Sequence, residues 1–260
     1  MTIGHKFAKE KEETLKQHAI MPPGGGNDQE KDDSSIDVGQ VKHVKDDVVF
    51  PLHLIKSPFA TKKYKINGTE GRITVAEDSG GPIVAAMLPW QSNHIWGMNL
   101  SYRDKFDICF TEKMNGCCVI VQGSGTSRPM FIHANFGVEP NLKEESDFMV
   151  AMKKVRESRT DAYDKLLPLI LKELPSDERP HAIQRAFRPE YYMDAERFPG
   201  FKVATVCGFK YGDNWIFFYH IILENPKWKN EPTWATRVKS SGPPIFSVTG
   251  ECWPNFDEYE

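Results

Sequence analysis

Cysteine is scarce in this 260-residue sequence, which contains only five cysteines. An odd number at low density argues against a disulfide framework. No cysteine is followed by another cysteine or a histidine at the CxxC or CxxH spacing that is typical of a zinc site. We therefore expect free thiols, no metal site and no cofactor.

Long apolar runs and an excess of one charge are also missing. No stretch approaches the roughly 20 apolar residues that span a bilayer. Lys and Arg together number 33 and Asp and Glu 36, so the net charge of −3 creates no field that favours nucleic acid. The first twenty residues are too charged for a secretory signal. We expect a protein with no membrane span, no nucleic-acid partner and no N-terminal signal peptide.

Residues 1–45 differ in composition from the rest of the chain. They contain a Pro-Pro-Gly-Gly-Gly run at 22–26, followed by the polar run NDQEKDDSS. Such a composition cannot bury enough apolar surface to offset the loss of chain entropy on folding. We predict a flexible charged arm over 1–45 and a single folded domain over 46–260.

The remaining sequence changes between strand-like and helix-like segments. Runs such as VVFPLHLI, GRITVAE, CCVIVQ and NWIFFYHIIL favour strands, and the last is apolar enough to be a central strand. Residues 141–174 carry apolar side chains at helical spacing, and 175–200 are expected to form loop and short helix. Strands followed by helices and then strands predict an α+β fold, with a β-sandwich or mixed-sheet core flanked by helices.

One predicted hairpin brings a cysteine and a histidine together. CCVIVQ and PMFIHANF are joined by a turn at 123–125, with Cys117 at the start of the first strand and His133 near the end of the second. We expect the two side chains to lie directly across the ladder, with Cβ atoms roughly 5 Å apart. Cys118 points to the opposite face and is predicted to be a core thiol. Gly116 permits a sharp turn and a close approach of substrate to the sulfur.

The Cys117–His133 pair alone leaves the chemistry open. A nucleophilic cysteine needs a base, a group that orients the base and donors for the oxyanion. Proteases, acyl transferases and deamidases all use such a pair, and a non-enzymatic protein could hold the same residues as structural ones. The GSGT run at 123–126 lacks the phosphate-loop pattern, and DSGGP at 78–82 lacks the histidine segment of a serine protease.

Two longer segments resemble a known toxin family. DICFTEKMNGCCVI at 107–120, followed by PMFIHANF at 129–136, resembles the catalytic segment of Burkholderia lethal factor. This family is related to the cytotoxic necrotizing factor catalytic domain and to the chemoreceptor deamidase CheD. The stretch DSGGPIVAAMLPWQ at 78–91 is similar as well, so the resemblance covers roughly residues 70–136. Asn115 and Met114 depart from the family motif Leu-Ser-Gly-Cys.

The resemblance implies a glutamine deamidase with a deamidase fold of the cytotoxic necrotizing factor and CheD type. Cys117 would be the nucleophile and His133 the base. Thr111 would orient His133, which is the role that an acidic or amide side chain fills in other triads. Three further residues are expected to contact the substrate: Gly116, Asn115 and Trp90. Trp90 has an alternative place in an aromatic core.

The same resemblance implies a biological setting. The protein would be a monomeric bacterial toxin or effector that is secreted or injected and acts in the host cytosol. Its substrate would be a host protein such as a translation-initiation RNA helicase or a small GTPase, and inhibition of translation would follow in the first case. The alternatives are another Cys-His acyl-transfer enzyme, either a transglutaminase or a protease, and a non-enzymatic binding protein.

Overall fold

Two mixed β-sheets form the centre of the molecule in this computed structural model. The structure describes residues 10–21, 35–43, 48–56, 61–69, 72–91, 93–101, 103–123, 125–136, 148–173 and 183–255. None of the helices in these ranges is long and apolar enough to cross a membrane. The predicted α+β class, with a sheet core and few helices, is confirmed.

The larger sheet has nine strands among the described residues. In spatial order they are β1 (Ala19–Met21), β5 (Arg72–Glu77), β4 (Thr61–Thr69), β6 (Ile83–Leu88), β8 (Ile108–Thr111), β12 (Phe201–Tyr211), β13 (Asn214–Glu224), β15 (Ile245–Trp253) and β14 (Thr236–Val238). Most neighbours are antiparallel, but β1 pairs with β5 and β6 with β8 in parallel. The apolar strand β13 lies between β12 and β15, as its composition predicted.

The smaller sheet has six strands within the described ranges. In spatial order they are β11 (Ile183–Phe187), β9 (Cys118–Gly123), β10 (Met130–Ala134), β7 (Ile95–Asn99), β3 (Val48–Lys56) and β2 (Ser35–His43). The predicted hairpin is confirmed as β9 and β10. Strand β11 falls in a segment where loop and short helix were expected, because its polar residues hide any alternation.

The two sheets pack over a shared aromatic core. Phe131 on β10 lies 4.9 Å from Phe217 on β13, and Phe187 on β11 stacks on Tyr219 at 4.9 Å between ring centroids. Every residue of β9 is buried, because one face meets the larger sheet and the other meets a helix. Burial on both faces explains why β9 is a continuous apolar run rather than an alternating one.

The described residues contain three helices: α1 (Lys11–Gln17), α2 (Phe148–Glu173) and the short α3 (Pro189–Tyr192), whose Tyr192 is part of the core between the sheets. Leu166 and Ile170 of α2 pack against the outer face of the smaller sheet, which confirms the predicted apolar stripe. Pro168 lies inside α2. Helix α1 covers the outer face of the larger sheet through Leu15.

The predicted flexible arm over 1–45 is wrong for two of its segments. Residues 10–21 form α1 and β1, and 35–43 form β2, which pairs with β3. The apolar residues of the first segment are few, but Leu15, Ala19 and Ile20 are all buried. The backbone N–H of Ile20 donates to Nε2 of His220 at 3.2 Å. Sparse apolar residues are sufficient here because Leu15 and Ile20 pack on the apolar outer face of the larger sheet. The rest of 1–45 lies outside the described residues.

Candidate active site around Cys117 and His133

His133 lies in the middle of the smaller sheet and faces the core between the sheets. Its register partners are Val119 on β9 and Trp96 on β7. Its Nδ1 lies 3.0 Å from the carbonyl oxygen of Pro89, which follows β6 in the opposite sheet. A carbonyl can only accept, so Nδ1 carries the proton and Nε2 presents a lone pair. Nε2 is buried and has no hydrogen-bond partner among the described residues.

Burial sets the protonation state of His133. Desolvation lowers its pKa to about 4, and the carbonyls of Pro89 and Leu88 oppose this only in part. The ring is therefore neutral at pH 7, with its position and tautomer fixed from one end. A neutral imidazole with a free lone pair is the form that accepts a proton in general base catalysis.

Cys117 lies immediately before β9, on the same face as His133. The register pairs Ala134 with Cys118 and His133 with Val119. Cys117 is thus a diagonal neighbour of His133, at a typical separation of roughly 7–8 Å, and not the directly opposite one that we expected at 5 Å. The sulfur side chain is buried, at 3% exposure. The hairpin brings the pair together, with an offset of two residues that the turn alone did not reveal.

Cys118 belongs to the other face of the sheet, as alternation predicted. It packs with Ile120, Ile132 and Tyr163 in the layer between the smaller sheet and α2. Five buried free cysteines are present, but Cys117 alone shares a sheet face and a neighbouring strand with His133. No group of three or more His, Cys, Asp or Glu is placed to hold a metal ion in the described part of the chain.

A tight turn holds Cys117 in place. Gly116 adopts φ +103°, a backbone conformation that strongly favours glycine. Before it, Met114 exchanges two backbone hydrogen bonds with Ala204 at the start of β12. Tyr192 bridges the turn, because its hydroxyl accepts from Gly116 N–H at 2.9 Å and donates to the Cys117 carbonyl at 2.7 Å. No feature of the sequence indicated this contact.

Thr111 does not orient His133, in contrast to the expectation from the resemblance. Its Oγ1 accepts from the backbone N–H of Val206 at 3.1 Å and bonds to Oγ1 of Thr205 at 3.2 Å. The side chain therefore serves the β8–β12 pairing inside the larger sheet. The Pro89 carbonyl fixes His133 instead. A backbone acceptor can supply the orienting bond as well as a side chain does, and it leaves no trace in a motif.

The remaining predicted substrate contacts lie at the edge of the site. Asn115 is exposed, and Trp90 is half-buried against the core between the sheets. Trp90 directly follows Pro89, so it is tied to the segment that holds His133. Substrate binding by Gly116, Asn115 and Trp90 stays a prediction.

Sequence reasoning missed an aromatic row beside His133. His53 on β3 and Trp96 on β7 are register partners, and their rings stack at 4.5 Å. His94 also stacks on His53, at 5.4 Å between ring centroids. Trp96 Nε1 is a buried donor with no partner among the described residues. Because His53 lies on a different strand from Trp96, and His94 is only two residues before Trp96, only the sheet order could reveal the row.

No model of a known protein family matches the chain, and no curated protein matches it. Among solved structures it is similar to the C-terminal domain of CNFy from Yersinia pseudotuberculosis, at 12% identity and a TM-score of 0.31. The match covers 66% of this chain and 64% of the other, so the chain spans less than two thirds of that domain.

Proposed function

We propose that this protein is a cysteine-dependent amide hydrolase that converts a glutamine side chain of another protein into glutamate. One observation carries the proposal. His133 is held at Nδ1 by the Pro89 carbonyl, and its buried Nε2 lone pair is unused on the sheet face that it shares with Cys117. Most buried polar side-chain atoms have a hydrogen-bond partner, so a rigid ring with one idle nitrogen on the same sheet face as a thiol favours catalysis.

The reaction follows from the states of the two residues. Neutral His133 accepts the thiol proton as the Cys117 sulfur attacks the carboxamide carbon. The C–N bond then breaks, His133 returns the proton to the nitrogen, and ammonia leaves a thioester behind. Water, deprotonated by His133, attacks the thioester, which releases a glutamate side chain and restores the thiol. The Pro89 carbonyl stabilises the imidazolium at each transfer.

The enclosure of the site supports a side-chain amide over a peptide bond as the substrate group. Cys117 is 3% exposed and His133 is 1% exposed. A protease needs an open groove that seats several residues of extended backbone, whereas a glutamine carboxamide lies at the end of a slender, unbranched side chain. The segment resemblance at 107–120 and 129–136 supports the same reaction. On this basis we also propose a role as a toxin or effector that acts on a host protein.

The test is ammonia release from the proteins of a eukaryotic cell lysate. Wild type should release ammonia, Cys117→Ser should release none above background, and Cys118→Ala should behave as wild type because its thiol faces α2. Thermal melting of each variant establishes that it is folded. Equal release by wild type and Cys117→Ser would contradict the proposal.

The same assay separates amide hydrolysis from acyl transfer. With a primary amine present, a hydrolase still yields mostly glutamate, whereas a transglutaminase incorporates the amine. Mass spectrometry of the lysate peptides measures the ratio. Predominant incorporation of the amine would replace the deamidase by a transferase that uses the same Cys117 and His133.

A further inference from the structure

Tyr192 makes two hydrogen bonds to the backbone on either side of the nucleophile. Its hydroxyl accepts from the Gly116 N–H at 2.9 Å and donates to the Cys117 carbonyl oxygen at 2.7 Å. The hydroxyl thus uses its donor and one acceptor site on adjacent residues. The side chain is fully buried, so water does not replace these bonds in the folded state.

Other aromatic residues hold the Tyr192 ring rigidly. It stacks on Phe187 at 5.0 Å with an interplanar angle of 23° and packs against Phe201 at 5.3 Å. Phe187 is the register partner of Val119, two residues after Cys117. Helix α3 begins at Pro189. It ends at Tyr192, and the N–H of the next residue, Met193, donates to the Pro189 carbonyl oxygen at 2.8 Å. Because the ring is packed against both aromatic side chains and α3 is a short helix that begins with a proline, the Tyr192 hydroxyl is held in one position.

The turn that carries Cys117 needs such a support. It is anchored before the glycine by the Met114–Ala204 pair and afterwards by β9 pairing from Cys118. Between these anchors, Gly116 at φ +103° has no side chain to fix its backbone, and a rotation of the 116–117 peptide would swing the sulfur. Tyr192 bonds to the peptide groups on both sides of it, namely the Gly116 N–H of the 115–116 peptide and the Cys117 carbonyl of the 117–118 peptide.

We propose that Tyr192 is a positioning residue that aims the Cys117 sulfur at His133. The inference rests on the proposed function, because it assigns the aim of a nucleophile. It has a further consequence. The Gly116 N–H is already bonded to Tyr192, so this amide is not a donor to the oxyanion, and that role falls to other donors near Cys117.

The experiment compares Tyr192→Phe with Tyr64→Phe. The first change removes the bridging hydroxyl and keeps the ring. Tyr64 is also fully buried, but its hydroxyl has no partner among the described residues and it packs on the outer face of the larger sheet. Alkylation of Cys117 by iodoacetamide is followed by mass spectrometry across pH, beside a thermal melt of each protein.

In wild type we expect Cys117 to react faster than the four other thiols at neutral pH. Tyr192→Phe should slow alkylation of Cys117 about 100-fold at pH 7, the lower end of what a positioned general base contributes, because the misaimed thiol no longer passes its proton to His133. Its pH profile should move toward the pH at which an ordinary thiol ionises, about 8.5. Tyr64→Phe should keep the wild-type rate and profile. If Tyr192→Phe does not fold, Phe187→Leu tests the same support by loosening the ring stack, with a smaller shift in the same direction.

Each outcome decides a separate question. An unchanged profile in folded Tyr192→Phe, or in Phe187→Leu if that variant is needed, overturns the positioning role and leaves the proposed function intact. Equal losses in Tyr192→Phe and Tyr64→Phe also overturn it, because they indicate general destabilisation. A wild-type Cys117 that reacts no faster than the other thiols contradicts the proposed function itself, and the positioning role falls with it.

Discussion

His220 in the larger sheet and His133 in the smaller sheet are both buried, and they differ in how their ring nitrogens are used. His220 in the larger sheet has both nitrogens bonded, Nε2 to the Ile20 N–H at 3.2 Å and Nδ1 to the Thr249 hydroxyl at 3.0 Å. His133 in the smaller sheet has Nδ1 bonded and Nε2 idle. Burial lowers the pKa of His220 to about 3 and that of His133 to about 4. Similar burial and similar pKa shifts therefore accompany two different roles.

The comparison shows that a lowered pKa does not mark a base on its own. His220 fastens the N-terminal segment to the larger sheet, and its hydrogen bonds leave no lone pair for chemistry. His133 keeps one lone pair and lies on the same face as a thiol. The unused nitrogen on the sheet face that His133 shares with Cys117, rather than the depth of burial, distinguishes the candidate catalytic histidine.

The largest effect is expected for His133→Asn. The asparagine amide can still donate to the Pro89 carbonyl, but it cannot accept a proton as a base. Ammonia release from lysate proteins should fall by about 10²–10⁴-fold, the usual contribution of a general base. The melting temperature should change little. Retention of wild-type activity would move the base elsewhere and remove the distinction between the two histidines.

The second effect concerns acid stability, to which both histidines contribute with the same sign. An unfolded histidine has a pKa near 6.5, whereas the folded pKa values are about 4 and about 3. As pH falls below 6.5, these histidines become protonated in the unfolded chain but stay neutral in the folded protein, so the free energy of unfolding decreases. His133 alone should account for a loss on the order of 3 kcal/mol between pH 7 and pH 4.

Urea unfolding measured at several pH values between neutral and pH 4 tests this expectation. The free energy of unfolding of His133→Asn should fall less steeply with decreasing pH than that of wild type, because the contribution of His133 is missing. Parallel curves for the two proteins would show that His133 titrates normally in the folded state.

The third effect is the reverse of the one expected for His133: a change at His220 should lower stability and leave activity unchanged. His220→Leu keeps most of the volume but leaves the Ile20 N–H and the Thr249 hydroxyl without their partners. We expect a loss of about 2 kcal/mol in the free energy of unfolding, within the usual cost of a buried unpaired donor. Ammonia release by the folded fraction should match wild type. A loss of activity without a loss of stability would contradict this expectation and indicate that His220 contributes to the candidate active site.

The smallest effect is expected for Thr111→Val, with Thr205→Val as its matched control. Each change breaks the hydrogen bond between the Thr111 and Thr205 hydroxyls and one bond to the backbone, and each should cost about 1 kcal/mol of stability. Ammonia release should stay within about threefold of wild type in both, since Pro89 orients His133. A large loss in Thr111→Val alone would restore Thr111 to the catalytic set.

The sequence predicted the part of the site that depends on local order. Strand alternation assigned Cys118 to the helix-covered face and left Cys117 beside His133, and the turn at 123–125 gave the correct hairpin. It could not supply the two-residue offset, because a register depends on the ladder that forms and not only on the loop. The orienting bond comes from a backbone carbonyl in the other sheet, which carries no side-chain signature.

The features that could not be predicted depend on contacts between parts of the chain that are far apart in sequence. Tyr192 reaches Gly116 across 76 positions of the chain, and no periodicity links the two. The N-terminal segment has too few apolar residues to indicate burial, since the sheet face that receives it supplies most of the contact surface. Both misses arise from contacts that exist only once the sheets are assembled.

The most direct test of the central claim is to treat lysate proteins in heavy-oxygen water and search for labelled glutamate by mass spectrometry. Hydrolysis of a thioester on Cys117 places one solvent oxygen in each new carboxylate. Wild type should produce labelled glutamate at specific former glutamines, and Cys117→Ser should produce none at those sites. Labelled glutamate at the same sites with Cys117→Ser, or none with wild type, would contradict the central claim.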